Sequence, residues 1–195
     1  GRYSVRLSKI VDGVTEDLGV EEFFEVVDLN ISRMAATGDA RAEKFAFENK
    51  IADLHRAVQG AIRFTDEAQE RVGRLRRAAA VTPAMDPGVL ADLESLRHRL
   101  IVLRDALRGD PTLDRRLVPS PISISERVSN SLYSLRSSTQ PPTRTQREQY
   151  GYACDEFERA LEAVKAIAGD LASLERRFDD SGSPWTTGRI PEWRR

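Results

Sequence analysis

The sequence predicts a mainly α-helical protein: an antiparallel bundle of two long and two shorter helices, preceded by a β-hairpin and followed by an extended tail. Three observations carry this. From residue 39 to about 80, and again from 144 to 178, apolar residues recur in alternating steps of three and four, which lines them up on one helix face. The stretches between these rods hold Pro, Gly and Ser/Thr caps, the residues that stop and start helices. The first 28 residues instead alternate apolar and polar with a period of two, the pattern of a half-buried strand. Boundaries follow at 1–30 for the hairpin, 31–180 for the bundle and 181–195 for the tail.

The composition agrees with this fold class. The chain is 40% hydrophobic and 31% charged, which suits amphipathic helices, and its 7% aromatics are few for a sandwich core. Thirty Lys and Arg stand against 31 Asp and Glu for a net charge of −1, so no global field points to nucleic acid. No run of about 18 apolar residues exists, and membrane insertion is not expected. A single cysteine, Cys154, excludes an internal disulfide and a thiolate metal cluster. The sequence begins Gly1-Arg2-Tyr3 and reads as a C-terminal excerpt of a longer protein.

In the hairpin, Tyr3, Val5 and Leu7 alternate with Arg2, Ser4, Arg6 and Ser8. Asp12-Gly13 is a turn, and Phe24-Glu25-Val26-Val27 reads as the partner strand. Two strands alone cannot cover an apolar face. The hairpin therefore reads as the end of an upstream β-sandwich, against the alternative that it belongs to the bundle. Left without its sandwich, it would expose an apolar face or an open edge, through which two copies could pair as a dimer.

After Asn30-Ile31-Ser32 the period changes to that of a helix, and Asp39 is the expected N-cap. Phe47, Ile51, Leu54, Val58, Ala61, Thr65, Ala68, Val72, Leu75 and Ala79 form a heptad seam. Gly60 and Gly73 interrupt its propensity, and packing is expected to compensate them. Asp86 caps a second helix with Pro87 in its first turn, burying Leu90, Leu93, Leu96, Leu100, Leu103 and Leu107 antiparallel to the first. Residues 109–122 read as an irregular crossing loop. Ser123 and Glu126 form a capping box for a short helix with Val128, Leu132 and Leu135 inward. Thr143 and Gln146 form another for the last helix, whose stripe runs Tyr150, Cys154, Phe157, Leu161, Val164, Ile167, Leu171, Leu174 and Phe178. Gly182 ends it, and Trp185 in the tail is expected to pack on the bundle.

Chemistry is sparse. His55 and His98 lack the Glu-x-x-His context of a di-iron bundle, and no zinc-protease, phosphate-loop or serine-elbow motif occurs. The carboxylates of the last helix read as solvent-facing partners of arginines, Asp155 with Arg159 for instance. Cys154 lies on the apolar stripe as a small hydrophobe. The arginine-rich stretch Arg71, Arg74, Arg76 and Arg77, with Arg97, Arg99 and Arg104, has intervening acids and no interleaved aromatics for stacking on bases. It suits helix–helix and helix–partner contacts. No catalytic residue, metal ligand or cofactor site is assigned. Tyr133, Tyr150, Tyr152, Trp185 and Trp193 are the candidate lining of a ligand or partner site.

Residues at both ends carry a resemblance. Ser137-Ser138-Thr139, Pro142-Thr143-x-Thr145-Gln146-Arg147, Tyr150 and Glu156-Phe157 form one set. Pro184-Trp185-Thr186-x-Gly188-Arg189-x-Pro191-x-Trp193 forms a second. Together they resemble the C-terminal region of large exported bacterial proteins with sortilin-like, BNR-repeat β-propellers, often labelled glycosyl hydrolases. Gly1-Arg2-Tyr3-Ser4-Val5-Arg6-Leu7 with Phe24-Glu25-Val26-Val27 is similar to the final hairpin of the immunoglobulin-like module following such propellers. The resemblance implies an extracytoplasmic parent whose upstream sandwich and propeller are this chain's partners. It also implies that any glycosidase activity belongs to the propeller, whose Ser-x-Asp-x-Gly-x-Thr-Trp repeats are absent here. The expected function is thus a non-catalytic structural or interaction domain. The alternatives are a ligand-binding bundle with an aromatic-lined pocket and a cytoplasmic coiled-coil adaptor.

Overall fold

The elements run β1 (Arg2–Val11), β2 (Val14–Glu25), α1 (Gly38–Ala80), α2 (Gly88–Arg108), α3 (Pro111–Arg115), α4 (Ile124–Arg136) and α5 (Arg144–Asp180). The computed structural model describes residues 1–27, 38–191 and 193. The chain divides into two units, Gly1–Ala35 and Ala36–Arg195. The expected boundary at 30/31 and the change of period after Asn30-Ile31-Ser32 lie outside the described residues.

In the first unit β1 and β2 pair antiparallel from Arg2↔Glu25 to Val11↔Val14. Asp12 and Gly13 close the hairpin with φ of 51° and 79°. Both central residues in the left-handed region is the primed turn that matches strand twist, which is why Asp-Gly stands there. Opposite Leu7 the register slips between Arg6 and Ser8, and Gly19 takes φ 69° in the bulge while its amide donates to Asp17 Oδ1 at 2.9 Å. Because pairing residues share a face, Tyr3, Val5, Leu7 and Val11 lie with Phe24 and Val14 on one side. Arg2, Arg6 and Ser8 lie with Glu25, Glu21 and Asp17 on the other.

The second unit is a helical bundle of three columns. α1 and α5 run parallel: Glu43 pairs with Arg147 and Arg71 with Glu175, each pair 104 residues apart in sequence. The two pairs lie 28 residues apart on each helix (71 less 43, 175 less 147), or four heptads in one register. α2 and then α4 descend antiparallel between them, Arg108 pairing with Asp66 of α1 and Arg136 with Glu48. At about 1.5 Å per residue the 43 residues of α1 span about 65 Å. One apolar core fills the space, with Ile51, Val58, Leu75, Leu93, Leu100, Leu107, Leu171 and Phe178 among its most enclosed members. Thr65 sits in this core, its hydroxyl satisfied by the Ala61 carbonyl at 2.8 Å.

Several expectations are corrected by packing. Leu90 is 50% exposed, and Val89 takes its place in the core, because the helix phase at the start of α2 turns Leu90 outward. Asp39 lies inside the first turn of α1, not at its cap, which falls outside the described residues. A β-carbon at Gly60 would meet nothing within 4 Å, so packing does not compensate that glycine. Residues 109–122 are not wholly irregular: Asp110 accepts from the Thr112 amide and starts the single turn of α3. Asp86 accepts the Gly88 amide at 2.9 Å, so it caps α2 as expected although the helix is assigned one residue later. At Thr143 both halves of the capping box are formed, whereas Ser123 makes the half that accepts the Glu126 amide. Gly182, at φ 64°, lets the Ser183 and Gly182 amides bond back to Phe178 and Asp179, closing α5 in a Schellman turn.

Urea denaturation of single variants checks this packing. Leu93→Ala should lose about 2–5 kcal/mol, Leu90→Ala should stay within about 0.5 kcal/mol, and Gly60→Ala should gain about 0.5–1 kcal/mol. The Gly88 amide and then Arg177 hold the Asp86 carboxyl below its usual range. A depressed carboxylate contributes stability above its unfolded pKa of about 3.9, and that contribution is lost as pH falls through the folded value. Asn keeps the cap but not the charge. The stability gap between wild type and Asp86→Asn should therefore be open at pH 7 and close below about pH 4.

Candidate functional site

The middle column is broken, and the break makes the largest cavity described. Down the α5 side, Arg99 pairs with Asp170 and Arg127 with Glu156. Between those pairs α5 advances 14 residues (170 less 156) and the other column 28 (127 less 99), a surplus of 14 that equals the length of 109–122. The chain leaves the column at Gly109, whose φ of 87° ends α2, and re-enters in step at Ser123. Packing on α1 and α5 thus continues in register while the wall between α2 and α4 is left open.

The gap is a groove of about 520 Å³. On one side stand Val102, Leu103 and Ala106 of α2, and on the other Ala160, Ala163 and Ile167 of α5. Ile122 and Ile124 close the end where the chain returns. Charge appears only through Arg99, Glu156 and Arg159. Arg99 is held by Asp170, and Glu156 by Arg127, which also donates to Gln149 at 2.8 Å. Arg159 differs. Its Nε donates to the Asp155 main-chain carbonyl at 3.2 Å rather than to the expected carboxylate, and it makes no ion pair among the described residues.

The five aromatics singled out from sequence are not gathered. Tyr133 and Trp193 are about 80% exposed (78% and 80%), and Tyr152 is exposed, whereas the next residue, Ala153, is buried in the place expected for Cys154, which is only partly buried. Tyr150 turns inward, edge-on to Phe47 with ring centroids 5.4 Å apart. Burial, and then its hydrogen bond with Cys154, push its hydroxyl up to about 12. Trp185 borders a shallow hollow with Arg74 and Arg77, and none of the five lines the apolar groove.

What anchors the tail is Arg189. Its guanidinium lies between the Phe178 and Trp185 rings at 5.6 and 4.8 Å from their centroids. It donates to Asp179, Ser183 Oγ and the Pro184 carbonyl, which accounts for a buried cation. Gly188 (φ 103°) crosses Arg71 so closely that a β-carbon would sit 2.9 Å from its Nε. Arg71 is fixed there by two 2.6 Å contacts with Glu175.

Of the remaining arginines of the expected basic cluster, all but Arg77 meet acids among the described residues: Arg74 with Glu70, Arg76 and Arg97 with Glu94, Arg104 with Asp105. Among the described residues no three His, Cys, Asp or Glu side chains are grouped to hold a metal ion, and no helix is long and apolar enough to cross a membrane. The groove residues escaped the sequence reading because Val102 and Ile122 lie off the leucine stripe and Ala106, Ala160 and Ala163 read as helix filler. Their one signal was a second, smaller apolar row beside the main stripe. Comparison with known protein families, curated proteins and solved structures finds no match to this chain.

The raised Tyr150 has a measurable consequence. A group whose folded pKa exceeds its unfolded value of about 10 stabilises fully below pH 10 and loses that contribution as pH rises towards 12. The urea midpoint of the wild type should fall between pH 9 and pH 11, and Tyr150→Phe should flatten that fall.

Proposed function

We propose that this chain is a non-catalytic structural and interaction module. The helical bundle is its rigid base, and the hairpin is the element that joins a β-rich neighbour. One observation carries the reading: on one side of the hairpin the apolar residues Tyr3, Val5, Leu7, Val11, Val14 and Phe24 are each at least half exposed. Tyr3 and Phe24 stack across the strands at 5.8 Å, so this face is ordered as well as apolar. Glu22 and the Lys9–Glu16 ion pair share this side, so its apolar residues form two exposed groups, one around Tyr3, Val5 and Phe24 and one at Val11 and Val14. Exposed apolar groups of this kind mark an interaction surface, and a two-stranded ribbon gains its stability from a third layer or strand.

The resemblance to exported propeller proteins supplies the neighbour: an immunoglobulin-like sandwich of the same chain, to which the hairpin would contribute its last two strands. On that reading hydrolysis, where the parent performs it, takes place in the propeller. The bundle's own features favour support over catalysis: Arg71, Arg108 and Arg127 are spent on cross-column ion pairs, and the last helix is closed at its start by a full capping box.

Amide hydrogen exchange tests the reading on the 195-residue chain and on the same chain carrying its native upstream sequence. Residues 2–25 should exchange at least tenfold more slowly in the longer protein. Equal rates in both would overturn the proposal, as would a dimer of the longer protein in which a second copy holds the hairpin. Turnover of chromogenic glycosides or peptides by the 195-residue chain, abolished by one carboxylate substitution, would overturn it from the other side.

A further inference from the structure

The groove at the broken column is built for something other than a protein sheet. We infer that it binds a single-chain anionic amphiphile, with the alkyl chain lying between Val102 and Ala163 and the anionic head on Arg159. This inference is independent of the hairpin reading, which concerns the other unit.

Size is the first support. A volume of about 520 Å³ falls within the range of small-molecule sites, about 300–1,000 Å³. Shape is the second. Three of the lining residues are alanines, Ala106, Ala160 and Ala163, and Val102, 56% exposed, adds an apolar side chain to the rim. From Arg159 to Ile167 is eight helical residues, about 12 Å, the length of an extended alkyl chain of about ten carbons.

Charge selects the head group. Arg99 and Glu156 at the rim are neutralised by Asp170 and Arg127, so each brings its own counter-ion. Arg159, which also lines the groove, brings none: Nε is committed to the Asp155 carbonyl, and the two terminal nitrogens have no hydrogen-bond partner among the described residues. A planar guanidinium matches a carboxylate by two parallel hydrogen bonds. One uncompensated cation beside an apolar trough therefore favours a monoanion over a neutral chain, and either over a cationic one.

Calorimetric titration of the 195-residue chain with sodium dodecanoate, below its micellar range, tests this. One saturable site is expected, together with at least tenfold weaker binding by Arg159→Gln and no saturable binding of dodecyltrimethylammonium. Ala163→Trp should abolish the site by filling the trough. Ala163→Met serves if the larger variant loses its far-ultraviolet helical signal, and should weaken binding several-fold. The double variant Tyr3→Ser/Phe24→Ser should bind as the wild type does, which separates the groove from the apolar hairpin. Equal binding of the cation, indifference to both Ala163 variants, or loss of binding in the hairpin variant would each overturn the proposal. So would an acidic amphipathic peptide that protects Ala163 and Val102 from exchange when dodecanoate does not.

Discussion

Everything in the bundle is referred to the register between α1 and α5. Two parallel helices held in step from Glu43–Arg147 to Arg71–Glu175 present a pair of apolar stripes that keep the same spacing over four heptads. The ion pairs do not supply most of the energy, because exposed pairs contribute little. The apolar residues between them do, Ile51, Val58, Val72, Ile167 and Leu171 among them. Arg71–Glu175 is the exception in kind. It is largely buried, so any slip of one helix past the other would leave a desolvated charge without its partner. Apolar packing sets the stability of this seam, and the buried pair penalises the wrong registers.

A seam so regular constrains whatever fills the third column. α2 and α4 must both meet the stripes in phase, and the 14-residue excursion of 109–122 is accommodated because the chain leaves and returns at the same level. The core tolerates the interruption, with Leu107 and Ile124 both buried at its two sides. The surface does not close over it, and the apolar groove is the result. An opening of this kind costs stability, since small residues there forgo contacts that larger ones would make. Its location follows from topology alone.

The charged surface has been absorbed by structure to an unusual degree. Arginines that look like a basic patch in one dimension are distributed in three, all but Arg77 beside an acid on its own helix or another. Arg189 and Arg159 differ from these paired arginines for opposite reasons. Arg189 is buried between two rings and tied to Asp179, so it acts as a rivet for the tail. Arg159 is exposed beside the groove without an ion-pair partner among the described residues. Residue type does not distinguish them; the surroundings do.

The sequence by itself determined four of the five helices, the caps at Asp86, Ser123 and Thr143, and the hairpin turn, because those depend on interactions between residues a few positions apart. Thr143 with Gln146 and Asp12 with Gly13 are complete within one turn of chain, and so could be read in full. The stripe was legible too, except at its margins. Leu90 is a leucine among leucines, yet it faces solvent because it lies three residues before Leu93, while Val89, four before it, keeps the alternation of four and three. Only the tertiary structure decided which helices run parallel, that α2 and α4 share one column, and that five aromatics expected to meet are scattered. It alone placed Ala160 and Ala163 opposite Val102. Periodicity tells which face of a helix is apolar. It carries no information on how far along its partner that helix sits, and the groove exists only at that relative position.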